Sequence, residues 1–282
     1  MLLSVTMVAK NEEPVIDKAI KSILNILKYD AELILVDNYS KDNTMDIMNS
    51  FEDKERIRVY KFKGSKGLAR NFALSQSRGK FVMALDGDQI YRPLDQFINI
   101  YIEKFNEYAV KLGRSSFPII ASKDLLLKIG GWRDLQFAED WDLWFRLTDS
   151  CRYIFLPGYE WVFGDHIRKH KNVKNSYRKA IRNIKRYRDL YLIGVPVKDE
   201  LDEDRRLRFL YNLGKILSIS KRKLKANYQC VKYLEKDVPY YLKELDWDLR
   251  FQYNLLQFQS NKCKEPIFSE ILERFEVIYR KI

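Results

Sequence analysis

Short apolar runs alternate with helix-like segments through the N-terminal third of the chain, and this alternation constrains the fold most strongly. The apolar runs include residues 2–8, 32–37 and 81–85. The segments between them, such as 14–24 and 67–77, carry apolar residues at helical spacing. Strands that alternate with helices form parallel sheets covered by helices on both faces. We therefore predict an α/β fold with a mostly parallel sheet.

Two of these predicted strands end on an aspartate, Asp37 and Asp86, and Asp88 follows closely in the segment KFVMALDGDQI. Ligands of such sheets bind beyond the carboxyl ends of the strands. Two carboxylates at this spacing repel each other, and burial of the pair would shift its protonation. A bound divalent cation would remove the repulsion, so the segment indicates a candidate metal site.

A second acidic cluster lies in GGWRDLQFAEDWDLWFRL, residues 130–147, where Glu139, Asp140 and Asp142 stand among three tryptophans. The glycine pair permits a tight turn, and we expect a helix to begin near Glu139 with acids in its first turn. Aromatic rings beside carboxylates are a common lining of sugar sites. An ordinary core helix with a capping aspartate explains the same pattern, and taken alone the segment favours that alternative.

The chain is basic, with a formal net charge of +12 and a pI of about 9.4, which favours anionic partners. Residues 165–189 hold ten Lys or Arg against two Asp. The pattern predicts a basic amphipathic helix. Its predicted apolar positions are Val173, Tyr177, Ala180, Ile181, Ile184 and Tyr191. Such a helix fits a packed helix with a solvated face, an anionic acceptor, or an anionic membrane surface.

The cysteines and the hydropathy pattern bear on the compartment. Cys151, Cys230 and Cys263 are far apart and form no CxxC motif, which argues against a disulfide framework or a zinc knuckle and favours a reducing compartment. The N-terminus turns polar early and has no basic leader, unlike a signal peptide. The sequence has no apolar run of about 18 residues. We expect a cytoplasmic protein, peripheral at the inner membrane face if the basic helix binds lipid.

An internal repeat occupies the C-terminal part. LRFLYNL at 207–213 recurs as LRFQYNL at 249–255, six identities in seven at an offset of 42. Helical-hairpin repeats have periods of this order, and coincidence in a chain rich in Leu and Tyr is the alternative. We expect residues from about 200 to 282 to be an interaction module, for self-association into a homo-oligomer or for docking an acceptor.

Five segments together resemble the family 2 nucleotide-sugar glycosyltransferases of the GT-A fold. They are SVTMVAKNEE, LILVDNYSKDNT, GLARNFAL, ALDGD and GGWRDLQFAEDWDLWFRL, which follow the family's order within residues 3–147. A lone DGD would be a weak signal, whereas five motifs in order are specific. The resemblance implies a GT-A catalytic domain at 1–165 and an all-α C-terminal region at 166–282.

The resemblance also implies an activity. Such enzymes move a sugar, here of hexosyltransferase type, from a UDP- or GDP-sugar to an acceptor glycan, lipid-linked glycan or protein. The reaction inverts the anomeric centre and uses Mn²⁺ or Mg²⁺. The segment between Asp88 and Glu139 is shorter than is usual for the family, so the acceptor cannot be carried over.

Residue roles follow from the same resemblance. Asp86 would face the ribose or a metal-bound water, Asp88 would ligate the metal, Asp37 would accept from the nucleobase, and Asp140 would be the catalytic base. The other implied positions are Ala9, Glu12, Lys66 and Arg70 for the donor, Trp132, Glu139, Trp141 and Arg146 on the acceptor side, and His170 for the metal.

Ordinary structural explanations compete with several of these roles. A solvated helix face is the alternative for both Lys66 and Arg70, and for Lys66 this alternative is favoured. Arg146 fits a plain surface salt bridge. His170 is favoured over His166 because RKH resembles a segment of the family, although a solvated basic face explains both.

Two other function classes compete with transfer. A sugar-nucleotide pyrophosphorylase also uses paired aspartates on a parallel sheet, but it usually opens with a glycine-rich loop, and VAKNEEPV has no glycine. A nucleic-acid-binding protein would use the basic tail. It would leave both acidic clusters unexplained, so nucleic acid is not favoured as a partner.

Overall fold

The structure is a computed structural model that describes residues 1–113, 118–156, 165–166, 176–195, 205–234 and 247–279. The strands are β1 Leu3–Ala9, β2 Ala31–Asp37, β3 Ile57–Lys61, β4 Phe81–Asp86, β5 Gln89–Ile90, β6 Ala109–Leu112, β7 Ile119–Ser122, β8 Tyr153–Leu156 and β9 Asp165–His166. The helices are α1 Ile16–Ile23, α2 Thr44–Asn49, α3 Lys66–Gln76, α4 Asp95–Ile100, α5 Lys123–Lys128, α6 Glu139–Asp149, α7 Ser176–Leu192, α8 Arg205–Leu217, α9 Gln229–Leu234, α10 Trp247–Lys262 and α11 Pro266–Tyr279.

The main sheet has seven strands in the order β3-β2-β1-β4-β7-β6-β8. Its neighbours run parallel except where β7 pairs with β4 and with β6. β5 and β9 form a separate antiparallel pair. The predicted α/β fold with a mostly parallel sheet is therefore confirmed. The chain builds β1, β2 and β3 in one direction and then places β4 on the other side of β1, which makes a topological switch point between β1 and β4.

Burial explains the central strands. Every residue of β1, β2 and β4 is buried, as expected for parallel strands covered on both faces. Helix α3 packs on this part of the sheet through Ala69 and Ala73, which cluster with Val8, Ile34 and Val36. The i,i+4 spacing of the two alanines gives α3 a flat apolar stripe that fixes its orientation on the sheet.

Contacts divide the chain into two compact units. Unit 1 comprises Met1–Trp132 and Tyr153–Lys171, and unit 2 comprises Arg133–Arg152 and Asn172–Ile282. The contacts of α6 group it with unit 2, because it packs against α9 and α10. This division differs from the boundary predicted at residue 165, which stays a prediction about independently folding domains.

Within unit 2, Cys151 and Cys263 form a disulfide with a Cα–Cα distance of 5.9 Å, while Cys230 is a buried free thiol. The expectation of unpaired cysteines is wrong for two of the three. The cysteines are 112 residues apart in sequence, but Cys151 follows α6 and Cys263 follows α10, and these helices pack together. Tertiary packing of this kind leaves no trace in cysteine spacing. Within the described ranges, no helix is long and apolar enough to cross a membrane.

The predicted basic helix corresponds to α7, with one correction. Tyr177, which we expected on the apolar stripe, is 71% exposed. The fully buried part of the helix begins later, at Tyr187 and Leu190. Val173 lies outside the described residues. Both copies of the seven-residue repeat are helical, one in α8 and one in α10.

Candidate active site

Three adjacent strands of unit 1 end side by side at one edge of the sheet. In the strand register, Ala9 lies opposite Asp37, and Val8 lies opposite Asp86. The ends of β2, β1 and β4 therefore bring Asp37, Ala9 and Asp86 together beside the topological switch point. Crevices at this position are where open α/β sheets bind their ligands.

Hydrogen bonds tie the loop after β2 to the end of β1. Asp37 is fully buried, and its carboxylate accepts from the backbone N–H of Ser40 at 3.0 Å. The N–H of Asn38 donates to the carbonyl of Ala9 at 2.8 Å, and the Asn38 side chain accepts from Gly64 N–H at 3.2 Å. Asn38 and Ser40 were not singled out in sequence, although both stand in the NYSKDNT segment.

That segment also holds the loop after β1. The N–H of Asn11 donates to Ser40 Oγ at 2.8 Å, and the N–H of Glu12 donates to Thr44 Oγ1 at 2.8 Å. Burial would raise the pKa of Asp42, but hydrogen bonds led by Thr44 hold it below its ordinary value. The hydrogen bond from the Glu12 N–H to Thr44 fixes the backbone of Glu12, a buried acid that is 7% exposed, beside this edge of the sheet.

Cations of α3 meet Asp86 at the end of β4. The buried Arg70 guanidinium forms an ion pair with Asp86 Oδ1, and Lys66 Nζ lies 3.6 Å from the same oxygen. Arg70 also donates to the Leu85 carbonyl at 3.5 Å. The solvated-face alternative does not describe Arg70, which is 2% exposed. These cations offset the repulsion that the aspartate spacing implies, on the side of Asp86.

Tyr91 holds the backbone of Asp86. Its hydroxyl accepts from the Asp86 N–H at 2.7 Å and donates to the Asp86 carbonyl at 3.1 Å. Burial raises the pKa of Tyr91 well above its ordinary value, and the charges of Asp86 and Asp88 add to the rise. The phenol therefore stays protonated and can keep both bonds. Sequence reasoning missed Tyr91, whose only signal was its place just beyond the DGD segment.

Gly87, between the two aspartates, is required by close packing. A Cβ at this position would lie 2.8 Å from Ala9 Cβ and 3.1 Å from Ile16 Cδ1. No side chain fits without displacing the end of β1. Gly87 and Asp88 form the turn that joins β4 to β5, and Asp88 is half-buried in that turn.

The second acidic cluster lies on α6 in unit 2, and the helix begins at Glu139 as predicted. Asp142 is fully buried; Arg146 binds its carboxylate at 2.8 Å, Tyr228 donates to it at 2.6 Å, and Arg133 forms an ion pair with it. Burial raises the pKa of Tyr228, and Asp142 raises it further. Asp142 is thus committed to a structural network that includes Arg146.

Asp189 of α7 holds the loop that leads into α6. Its carboxylate accepts from the N–H groups of Gln136 at 2.7 Å and Phe137 at 2.9 Å. Burial raises the pKa of Asp189, against the lowering effect of these donors and of Arg188. Asp140, one turn beyond this loop, is 7% exposed and accepts from the N–H of Trp141 at 3.0 Å.

The tryptophans expected on the acceptor side are buried. Trp132 is 2% and Trp141 is 9% exposed, so neither ring offers an open face to a sugar here. The glycine turn before Trp132 is confirmed, since Gly130 and Gly131 have φ of 85° and 56°. Asn71 of the GLARNFAL segment lies against Gly131, where a Cβ would come within 2.0 Å of Asn71 Oδ1.

His170 lies outside the described residues. The backbone of His166, in β9, pairs with Gln89, one residue beyond Asp88. Among the described side chains, no group of three or more His, Cys, Asp or Glu forms a ready metal cage.

Comparison with known proteins finds a family similarity in the part of the chain that builds this edge. The profile described as glycosyl transferase family 2 matches residues 4–111. An uncharacterized protein of Methanocaldococcus jannaschii is 39% identical over 95 residues, which cover 31% of this chain and 40% of that protein. The Escherichia coli UDP-Glc:alpha-D-GlcNAc-diphosphoundecaprenol beta-1,3-glucosyltransferase WfgD is 36% identical over 92 residues, 32% of this chain and 36% of that protein. The chain spans less than half the length of these relatives.

Solved structures resemble the chain over a greater length at low identity. Staphylococcus aureus TarS has a TM-score of 0.51 at 16% identity, covering 92% of this chain and 49% of TarS. The mannosyltransferase PcManGT from Pyrobaculum calidifontis, in complex with GDP-Man and Mn²⁺, has a TM-score of 0.51 at 14% identity, covering 93% and 88%. These likenesses show a shared GT-A fold. Residues 4–111 are therefore similar to glycosyl transferase family 2, and the chain shares the GT-A fold of these solved structures.

Proposed function

We propose that this chain is an inverting glycosyltransferase of hexosyltransferase type that takes a sugar from a nucleoside-diphosphate donor with the help of a divalent metal. One observation carries the proposal. The ends of β2, β1 and β4 bring Asp37, Asp86 and the DGD turn to one edge of the sheet at the topological switch point. A nucleotide fits this place on physical grounds, because buried carboxylate acceptors and the cations of α3 lie at the same edge of the sheet.

The donor contacts proposed are those that the family resemblance implies, applied to this edge of the sheet. Asp37, held by Ser40, accepts from the base, while Ala9 and Glu12 border the base and ribose. Asp86 faces the ribose, since Arg70 and Tyr91 fix both its side chain and its backbone. Lys66, at the N-terminus of α3, lies near Asp86 with its side chain 36% exposed, and so can reach a phosphate.

The residues at the DGD turn fit Mn²⁺ or Mg²⁺. Asp88 offers hard carboxylate oxygens, and such ions keep waters and take phosphate oxygens as further ligands. This need for outside ligands agrees with the lack of a three-residue cage among the described side chains. The metal would neutralise charge on the leaving diphosphate. His170 is proposed as a further ligand.

Asp140 is the proposed catalytic base. It would take the proton from the acceptor hydroxyl as that oxygen attacks the anomeric carbon, while the nucleoside diphosphate leaves from the opposite face. Asp189 positions the loop before Asp140 through two backbone hydrogen bonds. Glu139, Trp132, Trp141 and Arg146 remain proposed for the acceptor side. The buried tryptophans would pack behind the acceptor rather than stack on a sugar, and Arg146 would act through Asp142.

A glycan carried on a lipid diphosphate is the acceptor class best supported. WfgD acts on a diphosphoundecaprenol-linked sugar by its name, and a Campylobacter jejuni relative, 32% identical over 109 residues, is named for a similar lipid-linked substrate. A free glycan or a protein is the alternative. A cytoplasmic location is proposed from the sequence pattern of the N-terminus alone, because the Cys151–Cys263 disulfide removes the cysteine argument for it. The C-terminal helical repeats are proposed as a module for self-association or acceptor docking.

The proposal is tested by incubating the full chain with labelled UDP- and GDP-sugars, with Mn²⁺ or with EDTA. We expect release of nucleoside diphosphate from one donor class, dependent on Mn²⁺ and increased by a lipid-diphosphate-linked glycan. Formation of nucleoside triphosphate from added diphosphate would instead identify a pyrophosphorylase. Absence of turnover together with absence of nucleotide binding would contradict the proposal.

A further inference from the structure

Residues 205–225 of unit 2 combine strong positive charge with exposed apolar side chains. The segment holds eight basic residues and no acidic one, and it forms α8 and the 3₁₀ helix Ser218–Leu224. Its exposed apolar side chains are Phe209 at 62%, Ile216 at 60%, Leu217 at 50% and Ile219 at 71%. Large apolar side chains grouped in this way on a surface mark an interaction site.

The geometry of α8 directs this surface away from its helical neighbour. α8 packs closely on α7 through Gly214, where a Cβ would lie 2.8 Å from both the Arg188 nitrogen and the Ile184 oxygen. Phe209 and Ile216 are two helical turns apart and lie on the opposite side of α8 from Gly214. The helix therefore buries a glycine face and presents an apolar one.

A cation-lined cavity adjoins the exposed face. It has a volume of about 590 Å³ and is lined by residues that include Lys215, Arg222 and Lys225, with Tyr191 and Ile219. Lys225 Nζ donates to the Tyr191 carbonyl at 2.7 Å and lies 3.5 Å from the Tyr191 ring centroid. Burial lowers the pKa of Lys225, and the nearby Lys215 lowers it further.

Within the described residues, the cations that line this cavity have no carboxylate partner. Lys221 is paired with Asp134 at 2.7 Å, but no carboxylate in the described part of the chain pairs with Lys215, Arg222 or Lys225. Three cations around one cavity repel each other, and a bound anion would relieve that repulsion. A phosphate group has the charge and the acceptor oxygens that such a cavity needs.

We infer that residues 205–225 dock the protein on a bilayer containing anionic phospholipids, with a headgroup phosphate in the cavity and Phe209, Ile216 and Ile219 in the acyl boundary. Amphipathic segments with Lys and Arg beside apolar side chains bind bilayers in this way. The inference does not depend on the proposed transfer reaction.

Other occupants fit the surface less well. Aliphatic side chains such as Ile216 and Ile219 gain nothing from nucleic acid, which binds through phosphate contacts and aromatic stacking. A second copy of the same face would oppose eight basic residues to eight others, and like charges disfavour that pairing. A bilayer satisfies the charge and the apolar side chains together.

The test is co-sedimentation of the full chain with vesicles at low salt. We expect binding to phosphatidylcholine vesicles containing phosphatidylglycerol, little binding to pure phosphatidylcholine, and a steep fall as salt rises. Arg222→Gln with Lys225→Gln should weaken partitioning by about 30-fold. The matched control, Lys104→Gln with Lys128→Gln, removes two exposed cations of unit 1. It lowers the net charge by the same amount and should weaken binding only slightly.

A second pair of variants isolates the apolar part. Ile216→Ser with Ile219→Ser should lower binding about tenfold or more, whereas Leu127→Ser, which changes a leucine of α5 that is 53% exposed, should not. Circular dichroism verifies folding, and both isoleucines are exposed, so this pair remains informative if the cavity pair fails to fold. The inference is overturned if the parent binds no anionic vesicle at low salt, if the apolar pair binds like the parent, or if the surface instead binds oligonucleotides or a second copy.

Discussion

Tyr91 shows how a single residue outside the acidic motif can set the geometry of the site. It makes two hydrogen bonds to the Asp86 backbone, at 2.7 and 3.1 Å. Tyr91→Phe removes two hydrogen bonds from buried backbone groups of Asp86, so we expect a loss of about 1–3 kcal/mol in the free energy of unfolding. Metal-dependent nucleotide affinity should also fall. Denaturant unfolding and calorimetric titration measure the two effects.

The control is Tyr29→Phe, whose hydroxyl bonds to Asp95 at 3.0 Å in a partly exposed setting. Water can replace that partner, so both stability and nucleotide affinity should stay close to those of the parent. Equal losses in the two variants would show that Tyr91 has no special role at Asp86.

Asp140 is the residue on which the proposed chemistry depends. Asp140→Asn keeps the shape and an acceptor oxygen for the Trp141 N–H but cannot take a proton. We expect donor affinity near the parent value and turnover reduced by about 100- to 10,000-fold, the usual contribution of a general base. Steady-state kinetics separate the two quantities, and a variant that transfers sugar at the parental rate would remove Asp140 from the mechanism.

At the scale of elements, the end of the parallel strands opposite the candidate site also holds a buried charge cluster. Glu32, near the start of β2, is fully buried and is bound by Ser4 at 2.6 Å, Arg58 at 2.7 Å and Arg78 at 2.8 Å. Burial raises the pKa of Glu32, but these hydrogen bonds outweigh burial and hold the pKa below its ordinary value. This cluster is internally satisfied, so we assign it to stability.

Glu32→Gln should destabilise unit 1 by about 3–5 kcal/mol near neutral pH, because the partner arginines lose their counter-charge. The sign with pH follows from the lowered pKa. The carboxylate's contribution is present above the ordinary glutamate pKa of 4.5 and is lost as pH falls through the lower folded-state value. The gap between parent and variant should therefore narrow in acid. Asp17→Asn, which breaks an exposed pair with Lys21 at 3.0 Å, should cost little at any pH, and a gap that widens in acid would contradict this account.

The sequence predicts where helices and strands begin and end better than it predicts which side chains pack together. The ends of β2 and β4 are visible in sequence because an aspartate terminates each apolar run, and the start of α6 is visible from the glycine pair and the acids that follow. The network of Asp142 with Arg133 and Tyr228 is not visible, because its members are brought together only by helix packing. The sequence leaves open whether the tryptophans of this segment line a sugar site or a core, because periodicity does not distinguish the two.

At the scale of the whole molecule, the disulfide links α6 to the C-terminal helices. Cys151 and Cys263 close a sequence separation of 112 residues, so loop-closure entropy predicts a stabilisation of about 4–5 kcal/mol. Cys151→Ala with Cys263→Ala should lower the unfolding midpoint, and a thiol reductant should lower that of the parent but not that of the variant. An unchanged parental midpoint in reductant, with two free thiols found by mass spectrometry, would show that the bond makes no such contribution.

The central claim is that the DGD turn binds a metal–nucleotide complex, and calorimetric titration of UDP and GDP with Mn²⁺ or EDTA tests it most directly. The parent should bind one nucleotide class only with Mn²⁺. Asp88→Asn should weaken that binding by at least about tenfold, the loss seen when even an outer partner of a metal ligand is removed. Asp124→Asn, which alters an exposed acid on α5, should bind like the parent. A folded Asp88→Asn protein that keeps its full Mn²⁺-dependent affinity would contradict the account.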